Sequence, residues 1–472
     1  MKSVLPLFML CILTSFFIQA AEVSIDDDGM FVINGERSFV LGLYENPKED
    51  EQLARMVEAG FNLVQAQPKA EELDRLDRHG VYGWVNTGSC IDLSVNREQR
   101  EKELTALVGT LKDHPRLLVW EVPDEALWNC WHQPQQWRWH QEPEALRQKI
   151  KEVADDDKRA QLFAEVNAAL AYRDIADYET WEKRMDMLWE ALGLEQPHPE
   201  LSMARAQERA ELMCRGMIDG YHLTRKMAPG IPVWMNHAPR NQISQLAAFN
   251  EGADIVGCDI YPVPRHPAIS HSDLDNALIS SVADYTVRMQ AAAPWKPVWM
   301  VLQGFGWGDI QPNQSEQVRK ELRRPNFGES RFMAYDAIAR GAKGILYWGT
   351  AYVEKESEFL TELLRVIREL HELQPVLSAP RAALDITVSY RPTFGSVDRK
   401  PVVLPKAYGK IPWLIAVNEW SEGLACTLSG FGDLEGVRYR DHHTGETYQV
   451  TDGVLPVPFR RYSARVLEPV VE

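Results

Sequence analysis

The stretch His114-Pro-Arg-Leu-Leu-Val-Trp-Glu-Val-Pro-Asp-Glu-Ala-Leu-Trp-Asn129 decides how this chain is read. Its apolar run, residues 117–120, has the character of a strand buried on both faces. Pro123 stops the run, and two adjacent carboxylates, Asp124 and Glu125, follow at once. Trp120 and Trp128 stand on either side. Acids at the mouth of a buried strand, beside aromatic surface, suit sugar chemistry, because acids move protons and flat rings hold a sugar face. A plainer reading of the same residues makes Asp124 the cap of the next helix and Glu125 an acid in its first turn.

Working outward, the same unit repeats. Apolar strand patterns at residues 38–44, 61–67, 81–86, 117–120, 232–237, 253–261, 296–303 and 342–348 are each followed by an amphipathic helical pattern, at 49–59, 70–79, 98–113, 203–227, 242–250, 274–292, 329–340 and 358–373. Each parallel strand pair needs a crossover, so the alternation predicts a parallel sheet, and eight units favour closure into a (β/α)8 TIM barrel. Asp28-Gly29 and Asn34-Gly35 predict a small β-hairpin cap ahead of it. The barrel is assigned to residues 22–376. It carries a helical insertion, residues 127–200, opened by Trp128, Trp131, Trp137 and Trp139. Because the insertion leaves from the loop of the acid pair, it is expected to stand over the barrel mouth and shape a pocket there. Past residue 376 the helical period stops. Short alternating strands at 385–390, 413–418, 423–428, 436–440 and 462–467 predict a C-terminal β-sandwich over 377–472, with packing against the barrel as its role.

Composition narrows the function. The 472 residues carry a formal charge of −17 and show no basic run able to neutralise a phosphate backbone, which argues against nucleic acid as a partner. The N-terminus reads as an export signal over residues 1–21: Lys2, then an apolar stretch at 4–18, then Gln19-Ala20-Ala21-Glu22 as a small-residue cleavage site. The expected location is secreted or periplasmic, with no membrane attachment after cleavage. Cys90, Cys130, Cys214, Cys258 and Cys426 are odd in number and widely spaced, neither a disulfide framework nor a zinc site. Cys90 and Cys130 are the pair whose loops, if they meet, allow a bridge. No metal and no cofactor is expected, and the oligomeric state is open.

In such barrels the chemistry lies at the C-terminal strand ends. Those ends supply Tyr44 and Glu45, Gln65, Asn86, Asp124 and Glu125, Asn236 and His237, Asp259 and Tyr261, Gln303, and Trp348. Acids and amides that hydrogen-bond several hydroxyls, with rings for stacking, fit a carbohydrate. The plain reading of Asp259 is an orienting bond to a sugar hydroxyl or to Tyr261.

With these residues in view, residues 25–375 resemble the retaining glycoside hydrolases of clan A. Trp120-Glu-Val-Pro-Asp-Glu125 is similar to the clan's strand-four motif, with Asp124 in the asparagine position. The resemblance implies a glycosidase with Glu125 as general acid/base. It also implies that His237, Tyr261 and Trp348 match the clan's strand-five histidine, strand-six tyrosine and strand-eight tryptophan. Tyr44, Glu45, Gln65, Asn236, Gln303 and Trp128 are further candidates for sugar contact.

One departure bears on mechanism. The clan's nucleophile is a glutamate ending strand seven, and here Gln303 stands there. A primary amide cannot form a glycosyl-enzyme as a carboxylate does. Three resolutions stay open. In substrate-assisted hydrolysis of a 2-acetamido sugar, Asp124 would orient the substrate's own nucleophile and Glu125 would protonate the leaving group. In a second route Asp259 or Glu45 serves as the other carboxylate. In the third, the barrel binds glycan without cleaving it.

Overall fold

The computed structural model describes residues 21–266, 275–391 and 400–470. All but Ala21 of the expected export signal lies outside the described residues. The chain opens with a three-stranded antiparallel sheet, β1 (Val23–Ile25), β2 (Phe31–Ile33) and β3 (Glu36–Ser38). Eight strands then close into a parallel barrel: β4 (Val40–Leu43), β5 (Leu63–Ala66), β6 (Tyr82–Asn86), β7 (Leu117–Glu121), β8 (Val233–His237), β9 (Ile255–Ile260), β10 (Val298–Gln303) and β11 (Gly344–Trp348). The (β/α)8 architecture expected from the alternation is the observed one.

Residues alternate between two cores along these strands. Leu41, Val64, Val85, Trp120, Met235, Val256, Met300 and Ile345 face the surrounding helices. Val40, Leu63, Trp84, Val119, Trp234, Ile255, Trp299 and Leu346 fill the barrel interior. Three fully buried tryptophans in one barrel need space from their neighbours. Trp299 pairs with Gly257 on one side and Gly344 on the other. A Cβ at Gly257 would fall 1.8 Å from the Trp299 carbonyl oxygen, and one at Gly344 would fall 2.8 Å from the Trp299 ring. The large residue is admitted because its cross-strand partners have no side chain. Phe31 of β2 packs edge-on against Trp299, so the N-terminal sheet stoppers the bottom of the barrel.

The insertion is helical. It runs from Ala126–Pro134 through a π-helical turn, Gln135–Gln141, into helices Glu142–Lys151, Asp156–Asp174 and Tyr178–Ala191. Trp137, Trp181, Met185 and Trp189 form its own core. Trp137 and Trp139 therefore serve packing, and only Trp128 of the four opening tryptophans faces the barrel-mouth cavity described below. The helix expected at 274–292 begins at Ser281. Ahead of it, the Asn276 side chain accepts from the backbone N–H of Leu278 at 3.0 Å, a local turn that competes with helix.

The C-terminal strands form two antiparallel sheets. One is ordered β12 (Thr387–Tyr390), β15 (Leu424–Ser429), β18 (Val454–Phe459). The other is ordered β13 (Val402–Lys406), β14 (Trp413–Asn418), β19 (Ser463–Val470), β16 (Arg438–Asp441), β17 (Thr447–Gln449). A shared core of Leu414, Cys426, Leu428, Tyr439, Val457 and Leu467 joins the two sheets. Strands β13, β17 and β18 were not expected from the sequence. Pro405 lies in β13 and Pro456 and Pro458 in β18, and proline argues against a strand interior; both strands lie at sheet edges, where a missing N–H costs no ladder bond. Ile415, Val417, Ala464 and Val466 turn the other way and join the barrel's outer core. Arg331, on the barrel helix Phe327–Ala339, donates to the Ala464 carbonyl at 2.8 Å and pairs with Glu369 at 2.7 Å.

The bridge considered between Cys90 and Cys130 does not form; both thiols are free and buried. Cys90 Sγ donates to the Thr87 carbonyl at 2.8 Å, and Cys130 Sγ lies 3.7 Å from Met213 Sδ.

Candidate active site

The strand alternation that puts Val119 inside the barrel also puts Glu121 inside, at the end of β7. Pro123 follows, and Glu125 takes φ 50° and ψ 33° at the start of helix Ala126–Pro134. That left-handed conformation is rare for a residue with a side chain and occurs disproportionately at functional sites. Glu125 stands at the N-cap but makes no capping bond with its side chain, and the Asp124 carboxyl is engaged by the Glu125 backbone and by Asn236. The plain capping reading of Asp124 and Glu125 is thereby set aside.

Asp124 accepts from Asn236 Nδ2 at 2.9 Å, across from β8. Beneath it, Tyr44 donates its hydroxyl to Glu121, and Asn86 Nδ2 donates to the same carboxyl at 2.6 Å. Burial first, and then the charge of Asp124, drives Glu121 well above the carboxylate range. Tyr44 is pushed up as well, by burial and by both acids.

Above this layer lies a cavity of about 580 Å³ over the half of the barrel that runs from β7 to β11. Glu125 and Trp128 line it from the β7 side and Asp259 and Tyr261 from β9, while Trp307 and Trp348 complete the wall. Tyr261 stacks on Trp348 with centroids 5.6 Å apart, and Phe305 packs edge-on to both. The insertion contributes Gln135, Gln136 and His140, so it does stand over the mouth.

The cavity's acids share protons. Glu125 is pushed up to about 7, chiefly by burial and next by the neighbouring Asp124; a hydrogen bond with Asp259 and the charge of Arg240 pull the other way. Asp259 is driven well above the carboxylate range by burial and then by Glu125 and Asp124. Its Oδ1 is buried without a hydrogen-bond partner among the described residues. The hydrogen bond between the two carboxyls holds Asp259 up and Glu125 down, so Asp259 is its donor side.

The other candidates divide by position. Asp124, Tyr44 and Asn236 form the layer under the cavity. Gln65 points inward at the end of β5, in step with Leu63, but does not line the cavity. Three residues expected to contact sugar are committed elsewhere. Glu45 accepts from the Thr350 hydroxyl and from the Ala351 N–H at 3.2 Å, tying β4 to the turn after β11. His237 faces outward and bonds Asn250 Oδ1 at 2.8 Å, and burial lowers its pKa to about 4. Gln303 ends β10 as expected, but its amide is spent on backbone: Nε2 donates to Val263 at 2.6 Å and to Phe305 at 3.1 Å, and Oε1 accepts from Val263 at 3.0 Å. Trp120, flanking the acids in sequence, is fully buried in the outer core, so it offers no surface to a ligand.

Residues the sequence reading passed over include Glu121, Arg240, His132 and Trp307. Glu121 was legible from strand alternation. His132 sits one helical turn past Trp128, a spacing that also could have flagged it. Arg240 and Trp307 lie in loops past the strand ends, where no periodicity points.

No family model matches the chain. It is 26% identical over 289 residues to the β-galactosidase BgaP of Planococcus sp. (strain L4), an alignment covering 61% of this chain and 38% of that protein. It is 25% identical over 290 residues to BgaA of Planococcus sp. (strain 'SOS Orange'), with the same coverage. The chain therefore spans well under half the length of either relative. Among solved structures, one described as a glycoside hydrolase superposes with a TM-score of 0.52 at 13% identity, covering 95% of this chain and 96% of the other. A family 5 glycoside hydrolase from Bacteroides vulgatus ATCC 8482 gives 0.50 at 12%, with coverage of 95% and 93%. In fold, this chain is a (β/α)8 barrel with C-terminal antiparallel sheets like those of glycoside hydrolases, and in sequence it is distantly similar to two bacterial β-galactosidases.

Proposed function

We propose that this protein is a glycoside hydrolase that cleaves an O-glycosidic bond of an oligo- or polysaccharide, with Glu125 as the general acid. The observation that carries this is a carboxyl pushed up to about 7, set in the wall of a cavity that Trp128, Tyr261, Trp307 and Trp348 also line. A general acid works best with a pKa near the operating pH, and a sugar ring stacks on indole and phenol faces. Similarity to two β-galactosidases makes a β-galactoside the first substrate to try. The sequence of residues 2–22 supports export, with the enzyme acting on glycans outside the cytoplasm.

The division of labour follows from the bonds. Glu125 protonates the leaving oxygen, and Asp259 resupplies its proton. Two-carboxylate routes need the carboxyls roughly 5–5.5 Å apart for retention or roughly 6.5–9.5 Å for inversion. Glu125 and Asp259 are within hydrogen-bonding reach of one another, closer than either. Gln303 supplies no carboxylate from β10. Attack on the anomeric carbon accordingly falls to water or to a group of the substrate itself, with Asp124, held by Asn236, as the orienting acid. A panel of nitrophenyl glycosides that includes β-galactosides and N-acetylhexosaminides tests this. Turnover restricted to acetamido sugars would identify the substrate's own acetamido oxygen as the nucleophile. Binding of sugar without turnover of any member would replace the hydrolase reading with that of a glycan-binding barrel, the alternative that Gln303 favours.

Asp124→Asn separates charge from geometry, since an asparagine oxygen still accepts from Asn236. Loss of the Asp124 charge removes a cause that raises Glu125, so the Glu125 pKa falls. The basic limb of the kcat/KM profile, where the acid loses its proton, is then expected to move to lower pH. A limb that stays in place or moves up would show that Asp124 does not set the proton affinity of Glu125.

A further inference from the structure

The cavity has a second chemical character that acid catalysis does not use. Beside the carboxyls, three basic side chains line it: Arg240 from the loop after β8, and His132 and His140 from the insertion. Arg240 and His132 share one ring. The Arg240 guanidinium lies 5.1 Å from the Trp128 ring centroid, and Trp128 stacks with His132 at 5.1 Å and 24°. His132 Nδ1 is buried and has no hydrogen-bond partner among the described residues.

We infer that this rim is a subsite for an acidic substituent of the sugar, a carboxylate or a sulfate ester, gripped by Arg240 with His132 and His140 as supporting donors. The inference rests on the glycosidase reading and names the substrate class. A guanidinium laid on an indole is fixed in plane and directs its N–H fork sideways, the geometry that matches a planar carboxylate or the oxygens of a sulfate. Tyr, Trp and amide groups suffice for a neutral sugar; a fixed guanidinium among them is a charge-specific device. The chain's net charge of −17 offers a polyanion no general attraction, so recognition has to be local.

The test uses the full chain and matched nitrophenyl hexosides that differ only at C6: the neutral hydroxymethyl sugar, the uronate and the 6-sulfate. The hexose is the one cleaved in the panel above. Wild type is expected to show kcat/KM at least ten-fold higher for one of the two anionic members than for the neutral one, and whichever it is identifies the substituent. Arg240→Gln is expected to reduce that anionic-to-neutral ratio ten-fold or more, and Arg240→Lys to recover part of it. Calorimetric titration with the free neutral and anionic sugars follows the same ratio without turnover. Should Arg240→Gln fail to fold by circular dichroism, the His132→Ala, His140→Ala double variant is read in the same way. Preference for the neutral sugar in wild type, or a ratio untouched by the variants, overturns the inference while leaving the hydrolase reading standing. Absence of both cleavage and binding for every sugar overturns the two together.

Discussion

Glu125→Gln is expected to lower kcat/KM on a disaccharide by about 10²–10⁴-fold, the ordinary span of a positioned general acid. The amide keeps the size of the side chain and loses the proton. The size of the loss should track the leaving group. A dinitrophenolate departs with little protonation, so its glycoside should suffer far less than a disaccharide whose leaving oxygen is a sugar hydroxyl. That dependence distinguishes loss of the acid from loss of binding, which would depress both substrates alike. Burial and the Asp124 charge hold Glu125 at about 7, so in wild type the basic limb of the same profile should lie near neutrality and should disappear in the variant. An unchanged disaccharide rate in Glu125→Gln would remove Glu125 from the mechanism.

The second large effect is expected in the barrel interior. Trp299→Ala should destabilise the fold by about 3–5 kcal/mol, the range for truncating a buried aromatic. The cost belongs at the upper end, because a cavity is cheap only where neighbours can collapse into it. The cross-strand partners of Trp299 are Gly257 and Gly344, which have nothing to move, and its aromatic neighbours, Phe31 and Trp234, are rings held by their own contacts. Trp234 also underlies the layer of Tyr44, Glu121 and Asp124, packing edge-on to Tyr44 with centroids 5.3 Å apart. Loss of Trp299 should therefore loosen the support of Tyr44 and Asp124 and reduce activity in the fraction that folds. A fall in the urea midpoint at unchanged m-value measures the stability term. A midpoint shifted by less than about 1 kcal/mol of stability would show that the interior is not packed around this ring.

Several parts of this arrangement are legible from composition and period alone. The eight apolar runs and the helices between them specify a closed parallel sheet, because burial on both faces and short crossovers leave few other solutions. The position of Asp124 and Glu125 just past a strand end places them at the barrel mouth. Other parts were misread for local reasons. Proline in β13 and β18 hid two strands whose edge positions make proline harmless. His237 and Gln303 looked like site residues because they end strands. Whether an end residue serves the pocket depends on which way its side chain points and on which loop backbone lies within reach, and both are properties of the closed barrel. His237 points out to Asn250, whereas Gln303 points in and is taken up by Val263 and Phe305.

The acid pair of His114 to Asn129 shows the same division. The sequence alone determines that two carboxylates follow a buried strand, that a wide insertion leaves from their loop, and that no carboxylate ends β10. It does not determine their ionisation, which depends on neighbours far along the chain. Asp259 is brought to Glu125 by the register of β9, and Asn236 to Asp124 by that of β8. Arg240 is laid on Trp128 by the meeting of a loop with the insertion helix. Proton affinity is a sum over burial and charges at short range, and only the closed barrel sets those distances.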